Sequence, residues 1–177
     1  MHTVCEDLHE KLKNTIATDQ TGRFPITSAR GNTSIMVMYD YDTNVINATA
    51  IKSHKQHDLV DGYDRLYKDL QKAGIQPVLH KLDNEISKDL IASIKEKELE
   101  YQLAPPYDHR QNPAERAIRT FKNHYIATLY GADDDFPINQ WDRLIEQAVM
   151  TLNMLRPSRI NPKLSAFNQV WGNFDFN

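Results

Sequence analysis

The chain has 177 residues, of which 40% are hydrophobic and 25% are charged, and its formal net charge is −3. This length and hydrophobic content are typical of one compact domain. The single cysteine, Cys5, excludes an internal disulfide framework and a zinc site made from cysteine and histidine clusters. The negative charge is unlike that of a free-standing nucleic-acid binder, whose affinity comes largely from lysine and arginine on phosphates. A nucleic-acid function would therefore depend on local basic patches, metal ions or parts of a longer protein.

No apolar run in the sequence approaches the length of a membrane span, and the first residues lack the apolar region of a signal peptide. We therefore expect a soluble, intracellular protein. Residues 1–13 are polar with scattered apolar positions, which predicts an N-terminal arm or a short helix. Residues 14–177 are predicted to form the main domain.

The first half of the chain predicts the start of an antiparallel sheet. Residues 15–19 form a short β-prone run, which ends before the turn-forming segment 21–25. A clear strand follows at 34–39, and residues 40–44 have turn chemistry. Residues 45–51 then read as a second strand, paired with the first in a hairpin.

The spacing of the apolar residues next changes to that of a helix. The first predicted helix carries Leu59, Val60, Tyr63, Leu66, Tyr67 and Leu70 on one face. Gly74 is a suitable C-terminal stop for it. A short strand at 77–82 follows. A second helix, with Ser87 as a candidate N-cap, is marked by Ile86, Leu90, Ile91 and Ile94.

The last third of the chain is predicted to be mostly helical. A brief extended piece at 101–103 precedes a helix from Pro113 to about Tyr130. The apolar face of the next helix consists of Trp141, Leu144, Ile145, Ala148, Val149, Leu152 and Leu155. A final short helix runs through Val170 and is capped by Ser165. An antiparallel meander followed by alternating helices and strands predicts an α/β fold with a mixed sheet flanked by helices.

Three carboxylates fall at the ends of predicted elements. Asp19 closes the first β-prone run, Asp83 directly follows the strand at 77–82, and Glu115 lies in the first turn of a helix. Sites in open α/β sheets gather outside the carboxyl ends of the strands. Mg²⁺ prefers carboxylate oxygens, and two ions about 3.5–4 Å apart can activate an attacking hydroxyl and stabilise a leaving oxygen. The pattern therefore indicates metal-dependent chemistry at a phosphodiester.

Helix physics alone offers a simpler explanation for Glu115. Asn112 is a good N-cap, Pro113 suits the first helical position, and an acid in the first turn complements the helix dipole. Arg119 lies at the i+4 position for a surface salt bridge with Glu115. At about 100° per residue, the core face is predicted to hold Ala114, Ala117, Phe121, Tyr125 and Thr128. The opposite face is predicted to hold Glu115, Ile118, Arg119, Lys122 and Ile126.

Several segments carry a family resemblance: Asp-Gln-Thr-Gly-Arg-Phe-Pro at 19–25, Leu-Asp-Asn at 82–84, the loop and helix start at 106–116, and more weakly the tail at 160–172. Over residues 15–172 the chain resembles the catalytic core of retroviral and LTR-retrotransposon integrases. The resemblance implies a ribonuclease-H-like fold. It also implies a Mg²⁺- or Mn²⁺-dependent polynucleotidyl transferase and endonuclease that processes DNA 3′ ends and transfers them into target DNA.

The resemblance further implies which residues act. Asp19, Asp83 and Glu115 would form the catalytic, metal-binding triad. The DNA-binding residues would be Tyr107, Gln111, Asn112, Arg116, Arg119 and Lys122. Expected partners are retroelement ends, target DNA and a second copy of the chain, because integration joins two ends. The nucleus is the expected location, although the sequence contains no clear targeting signal.

The sequence departs from the family pattern at several points. Glu85 follows Asn84, and Pro113 follows Asn112, at positions where the family often has glycine. The His-His-Cys-Cys set of the family's N-terminal zinc module is absent, as is the usual C-terminal DNA-binding domain. These departures keep open an inactive or repurposed core that serves as a dimerisation or interaction module. A structure-specific nuclease is a third option and would need a fourth acid, for which Asp142 and Glu146 are the candidates.

Other polar residues have simpler explanations. Asp40 and Asp42 flank the predicted hairpin turn, although Asp40 is the substitute if Asp19 is not the first ligand. His80 and His109 lie close in sequence to the proposed site without an inferred partner. We expect both histidines to be solvated or structural.

Overall fold

A computed structural model of the chain describes residues 12–82, 88–103 and 113–173, and of Pro113 and Ala114 it describes the backbone alone. The strands are β1 (Thr15–Gln20), β2 (Ser34–Asp40), β3 (Ile46–Ile51), β4 (Leu79–Leu82) and β5 (Glu100–Leu103). The helices are α1 (Gln56–Lys72), α2 (Lys88–Glu96), α3 (Pro113–Tyr130), α4 (Ile145–Leu155) and α5 (Ala166–Trp171). A 3₁₀ helix at Ile138–Leu144 leads into α4. Within these ranges, no helix is both long and apolar enough to cross a membrane.

The five strands form one mixed sheet in the order β3-β2-β1-β4-β5. The β3-β2 and β2-β1 pairs are antiparallel, whereas β1-β4 and β4-β5 are parallel. Ala17 on β1 lies opposite Tyr39 on β2 and Lys81 on β4. The predicted hairpin and the predicted mixed sheet are therefore confirmed. Because β1 and β4 are parallel neighbours, their carboxyl ends lie side by side.

Both faces of the sheet are covered by helices, as the alternation of side chains along β2 shows. Val37 packs in a cluster with residues of α3, the 3₁₀ helix and α4, such as Phe121 and Trp141. Met36, its neighbour, points to the other face and packs with residues of α1 and α2, such as Tyr63 and Ile94. All seven residues of β2 are buried because the strand is covered on both faces.

The first helix, α1, ends where its sequence predicts. Gly74 has φ +76°, a left-handed conformation that favours glycine, and its N–H donates to the Gln71 carbonyl at 3.0 Å. Gly62 serves a different purpose, because it lets α1 approach the sheet closely. A Cβ at this position would lie 2.6 Å from Ile51 Cγ2 on β3.

Two details of the helical region differ from the prediction. Ile118, assigned to the solvent-facing side of α3, is buried, because α3 packs against the sheet on one side and the 3₁₀ helix and α4 on the other. The predicted single apolar stripe from Trp141 to Leu155 is split between the 3₁₀ helix and α4, and Leu155 at the end of α4 is exposed. The cap predicted for the last helix is confirmed, since Ser165 Oγ accepts from the Asn168 N–H at 3.0 Å.

The outer edge of β3 is bonded by side chains. Asn153 from α4 donates from Nδ2 to the Ile46 carbonyl at 2.7 Å and accepts at Oδ1 from the Ile46 N–H at 2.9 Å. The Asn47 side chain accepts from the Ala48 N–H, and Arg65 of α1 donates to the Ala50 carbonyl. Ile46, Ala48 and Ala50 present their peptide groups away from β2, so these bonds satisfy four of the six outward-facing groups of the three residues.

Candidate active site

The structure describes five of the side chains predicted to act at DNA or metal. Asp19 lies near the carboxyl end of β1, and Glu115 lies in the first turn of α3, where it is exposed. Arg116 and Arg119 are exposed on α3, whereas Lys122 is partly buried. The remaining predicted residues lie outside the described residues: Asp83, Tyr107, Gln111 and Asn112.

An ion pair joins β1 and α3, the elements that carry Asp19 and Glu115. Lys122 Nζ on α3 donates to Asp19 Oδ2 on β1 at 2.9 Å, and the two side chains are 33% and 40% exposed. The other carboxylate oxygen, Asp19 Oδ1, accepts from the Gln20 N–H at 2.8 Å. The contact joins α3 to the carboxyl end of β1.

Glu115 shares the face of α3 that carries Lys122. The two residues are seven positions apart, which is close to two full helical turns and a separation of roughly 10 Å along the helix axis. Glu115 is therefore on the side of α3 that faces the end of β1. In the described part of the chain, Glu115 and Arg119 form no ion pair with each other, so the surface salt bridge of the simpler explanation is not formed.

Carboxylate oxygens such as those of Asp19 and Glu115 suit a hard divalent cation. Asp19 and Glu115 supply carboxylates, and the Asp19 carboxylate already binds one cationic group, the ammonium of Lys122. Among the described residues, no three histidine, cysteine, aspartate or glutamate side chains lie together as a metal-binding group. Because Asp83 lies outside those residues, the full triad stays a prediction.

Asp40 has the structural role that turn chemistry predicts. Its buried carboxylate accepts from the Thr43 N–H at 2.9 Å and from the Thr43 hydroxyl at 2.6 Å. Burial raises the pKa of Asp40, while the bonds from Thr43 oppose the rise. Asp40 lies opposite Ile16, three residues before Asp19 on β1, so it is at the hairpin end of the strand.

Asp142, one of the two candidates for a fourth acid, is buried and binds three side chains of one loop segment. Its Oδ2 accepts from Ser28 Oγ at 2.9 Å, Arg30 Nε at 2.9 Å and Asn32 Nδ2 at 2.6 Å. Burial opposes its charge, but these hydrogen bonds prevail and lower the pKa of Asp142. The carboxylate therefore fastens the 28–32 segment to the 3₁₀ helix. Glu146, the other candidate, is exposed and lines a cavity of about 420 Å³ between α1, β3, α4 and α5.

His80 on β4 is a buried structural residue, one of the two roles expected for it. Its Nε2 lies 3.0 Å from the hydroxyl of Thr18, the neighbour of Asp19, and its ring stacks on Tyr63 at 5.2 Å between centroids. Burial lowers the pKa of His80 to about 3, so the imidazole is neutral. The signal in the sequence is the alternation of His80 with Leu82, since both face the core.

Comparisons with known proteins show what the fold is similar to. No protein-family model matches the sequence, and neither does any curated protein. A chain in the structure of the simian T-cell lymphotropic virus intasome in complex with PP2A regulatory subunit B56 gamma has a TM-score of 0.64 and 16% identity. That match covers 90% of this chain and 54% of the intasome chain, so this chain spans about half of that length.

Two further matches are isolated core domains. The catalytic core domain of BIV integrase has a TM-score of 0.61 and 15% identity, with 89% of this chain and 93% of that domain covered. The HTLV-2 integrase catalytic core domain in complex with magnesium, in a trimeric form, has a TM-score of 0.62 and 16% identity, with 88% and 95% covered. Likeness at these identities concerns the fold. The chain has the ribonuclease-H-like fold of retroviral integrase catalytic cores.

Proposed function

We propose that this chain is the catalytic core of a retroelement integrase, which processes DNA 3′ ends and transfers them into target DNA. The observation that carries the proposal is the contact between Lys122 and Asp19. It brings α3, and with it the Glu115 face, to the carboxyl end of β1. An acid on the helix face that is turned towards a strand-end acid is the arrangement that the resemblance implies.

The sheet register supports the third member of the triad. Ala17 lies opposite Lys81 in the parallel β1-β4 pair, so the chain leaves both strands at one edge. Asp83 is the next residue after Leu82, the last of β4. In the proposal, Asp19, Asp83 and Glu115 hold Mg²⁺ or Mn²⁺. Such ions, when bound, favour deprotonation of the attacking hydroxyl and stabilise the leaving oxygen of a phosphodiester.

The basic residues of α3 support DNA as the substrate. Arg116 and Arg119 are exposed in the first turns of the helix, and Lys122 lies one turn further along. Local contacts of these three side chains with phosphates would offset the net charge of −3. The preceding segment with Tyr107, Gln111 and Asn112 is proposed to contact DNA as well.

We also propose that the chain assembles with copies of itself and acts in the nucleus. Joining two DNA ends requires two active sites, so we expect a homodimer or a higher oligomer. The target would be chromosomal DNA, which places the reaction in the nucleus.

Assays of end nicking, strand joining and the reverse disintegration reaction with Mn²⁺ test the proposal. We expect Asp19→Asn and Glu115→Gln to abolish activity, because each removes a charged metal ligand. Glu96→Gln is the matched control, since it neutralises an exposed acid at the end of α2. Activity that survives unchanged in Glu115→Gln refutes the assignment.

A repurposed core that acts as an interaction module is the second candidate. The cavity of about 420 Å³ favours it, because apolar residues such as Val149, Phe167 and Trp171 line this surface. Titration with Mg²⁺ or Mn²⁺ separates the candidates. A folded protein that binds neither ion at millimolar concentration would favour the interaction module.

A further inference from the structure

Both oxygens of the Asp19 carboxylate already have a donor. Oδ1 accepts from the Gln20 N–H at 2.8 Å, and Oδ2 accepts from Lys122 Nζ at 2.9 Å. The same ammonium lies 3.4 Å from the Gln20 carbonyl oxygen. Two oxygens at the end of β1 thus hold one positive charge, and one of the two belongs to the carboxylate that is proposed to bind a metal ion.

We propose that Lys122 is a positioning residue that acts as the resident counter-cation of Asp19, and that a divalent metal ion must displace its ammonium in order to bind. The inference rests on the proposed function, because Asp19 is a metal ligand there. It adds a competition between a side chain and the ion, in which the charge of Lys122 lowers the affinity of the site for metal.

The displacement must come from the lysine side chain, because the helix itself is fixed. Phe121 and Tyr125, on either side of Lys122, are fully buried. The Tyr125 hydroxyl also donates to the Trp141 carbonyl at 2.8 Å. The Lys122 stem, by contrast, has rotatable bonds, and one third of the side chain is exposed. The ammonium can therefore rotate into solvent while α3 stays in place.

The strength of the competition follows from this exposure. Ion pairs between partly exposed side chains are weak, so a metal ion can displace the ammonium, and the displacement costs the site only part of its affinity for the ion. Repulsion between the ammonium and a doubly charged ion adds to the effect over a few ångströms. We expect removal of the Lys122 charge to tighten metal binding by about threefold to tenfold.

Displacement also changes what Lys122 can do next. An ammonium held by Asp19 has its charge compensated, whereas a released ammonium lies on the Glu115 face of α3 with its charge free. A phosphate near the site would then gain a donor only after a metal ion has bound. Metal binding and phosphate binding are thereby linked through one side chain.

The test is the Mn²⁺ dissociation constant of the full chain, measured by calorimetry. Lys122→Met keeps the length of the side chain and removes its charge, and we expect it to bind Mn²⁺ about threefold to tenfold more tightly than the wild type. Lys122→Arg keeps the charge and is expected to bind like the wild type. Lys68→Met, at an exposed position on α1, is the matched control for a general loss of one positive charge and is expected to change little.

The outcomes distinguish this inference from the proposed function. If the wild type binds Mn²⁺, Asp19→Asn weakens binding and Lys122→Met does not strengthen it, displacement is refuted while the metal site stands. If none of these proteins binds Mn²⁺, both ideas fail. In a second measurement, Mg²⁺ should shift the Nζ resonance of Lys122 in ¹⁵N-lysine spectra. A resonance that does not change at saturating Mg²⁺ would overturn the displacement.

Discussion

Acidification should destabilise this protein through His80, whose imidazole is buried in the sheet. Its Nε2 contacts Thr18, and within the described residues its Nδ1 has no hydrogen-bond partner. Burial lowers the pKa of His80 to about 3, whereas an unfolded histidine has a pKa of about 6.5. Below pH 6.5 the imidazole of His80 is therefore protonated in the unfolded chain but still neutral in the folded chain. The stabilisation that comes from the neutral, buried His80 is fully present above pH 6.5 and is lost as the pH falls towards 3.

The size of the effect follows from the two pKa values. Between pH 7 and pH 5 the unfolded histidine becomes almost fully protonated, while the folded one remains neutral. The free energy of unfolding should fall by about 2 kcal/mol over this interval because of His80 alone. This is a large share of the stability of a typical domain, which is about 5–15 kcal/mol.

Urea unfolding at pH 7 and pH 5, compared between the wild type and His80→Gln, isolates this contribution. The variant should lose about 2 kcal/mol less than the wild type over the interval, whatever its absolute stability. His80→Phe, which keeps a ring against Tyr63, is a second variant in case the first folds poorly. His57→Gln, at an exposed position, is the control and should lose as much as the wild type. Equal losses in the wild type and both His80 variants would refute the reasoning.

Three further substitutions test the packing around the site by chemical denaturation. Gly62→Ala should destabilise the protein by about 1–3 kcal/mol despite the better helix propensity of alanine, because the new Cβ would meet Ile51 Cγ2 at 2.6 Å. An unchanged or higher midpoint would show that α1 can shift away from β3. Tyr125→Phe should cost about 1 kcal/mol, because it removes the hydroxyl bonded to the Trp141 carbonyl; no loss would mean that water replaces that donor. Asp142→Ala should cost about 3 kcal/mol, because it removes the acceptor of the buried Ser28 hydroxyl and of the partly buried Asn32 amide, and Asp142→Asn should recover part of that loss.

Local sequence signals predicted the elements well where one physical rule dominates. The apolar spacing of α1 and the glycine that follows it define a helix and its end, and Gly74 has the left-handed conformation expected. The hairpin of β2 and β3 was predicted from two β-prone runs around a turn, and the register confirms it. For α3, the cap signals predicted the first residue, Pro113.

Predictions failed where burial depends on neighbours distant in sequence. A helical wheel divides α3 into two sides, but α3 contacts both the sheet and α4, so its buried arc is wider and includes Ile118. Over a single turn, apolar residues have nearly the same spacing in a 3₁₀ helix and in an α-helix. The sequence after residue 140 therefore does not reveal the change from the 3₁₀ helix to α4 at Ile145. Leu155 fits the stripe but lies beyond the packed part of α4.

The candidate site likewise has residues that could be predicted from the sequence and contacts that could not. Asp19 and Glu115 were predicted from their positions at element ends and from the resemblance. The ion pair between Lys122 and Asp19 joins residues 103 positions apart, and no local sequence pattern predicts it. The hydrogen bonds between Asp142 and the segment 28–32 span more than 100 residues, and no local sequence pattern predicts them either.

The hydrogen bonds between side chains and the outer edge of β3 have a consequence for self-association. A bare edge strand is a template on which another chain can add a strand. At this edge the peptide groups of Ile46 are already bonded to Asn153, and Asn47 and Arg65 bond the next two outward-facing residues. Growth of an aggregate from this edge would first have to break those bonds. Loss of the Asn153 amide would unmask a short template for cross-β pairing, independently of any change at the active site.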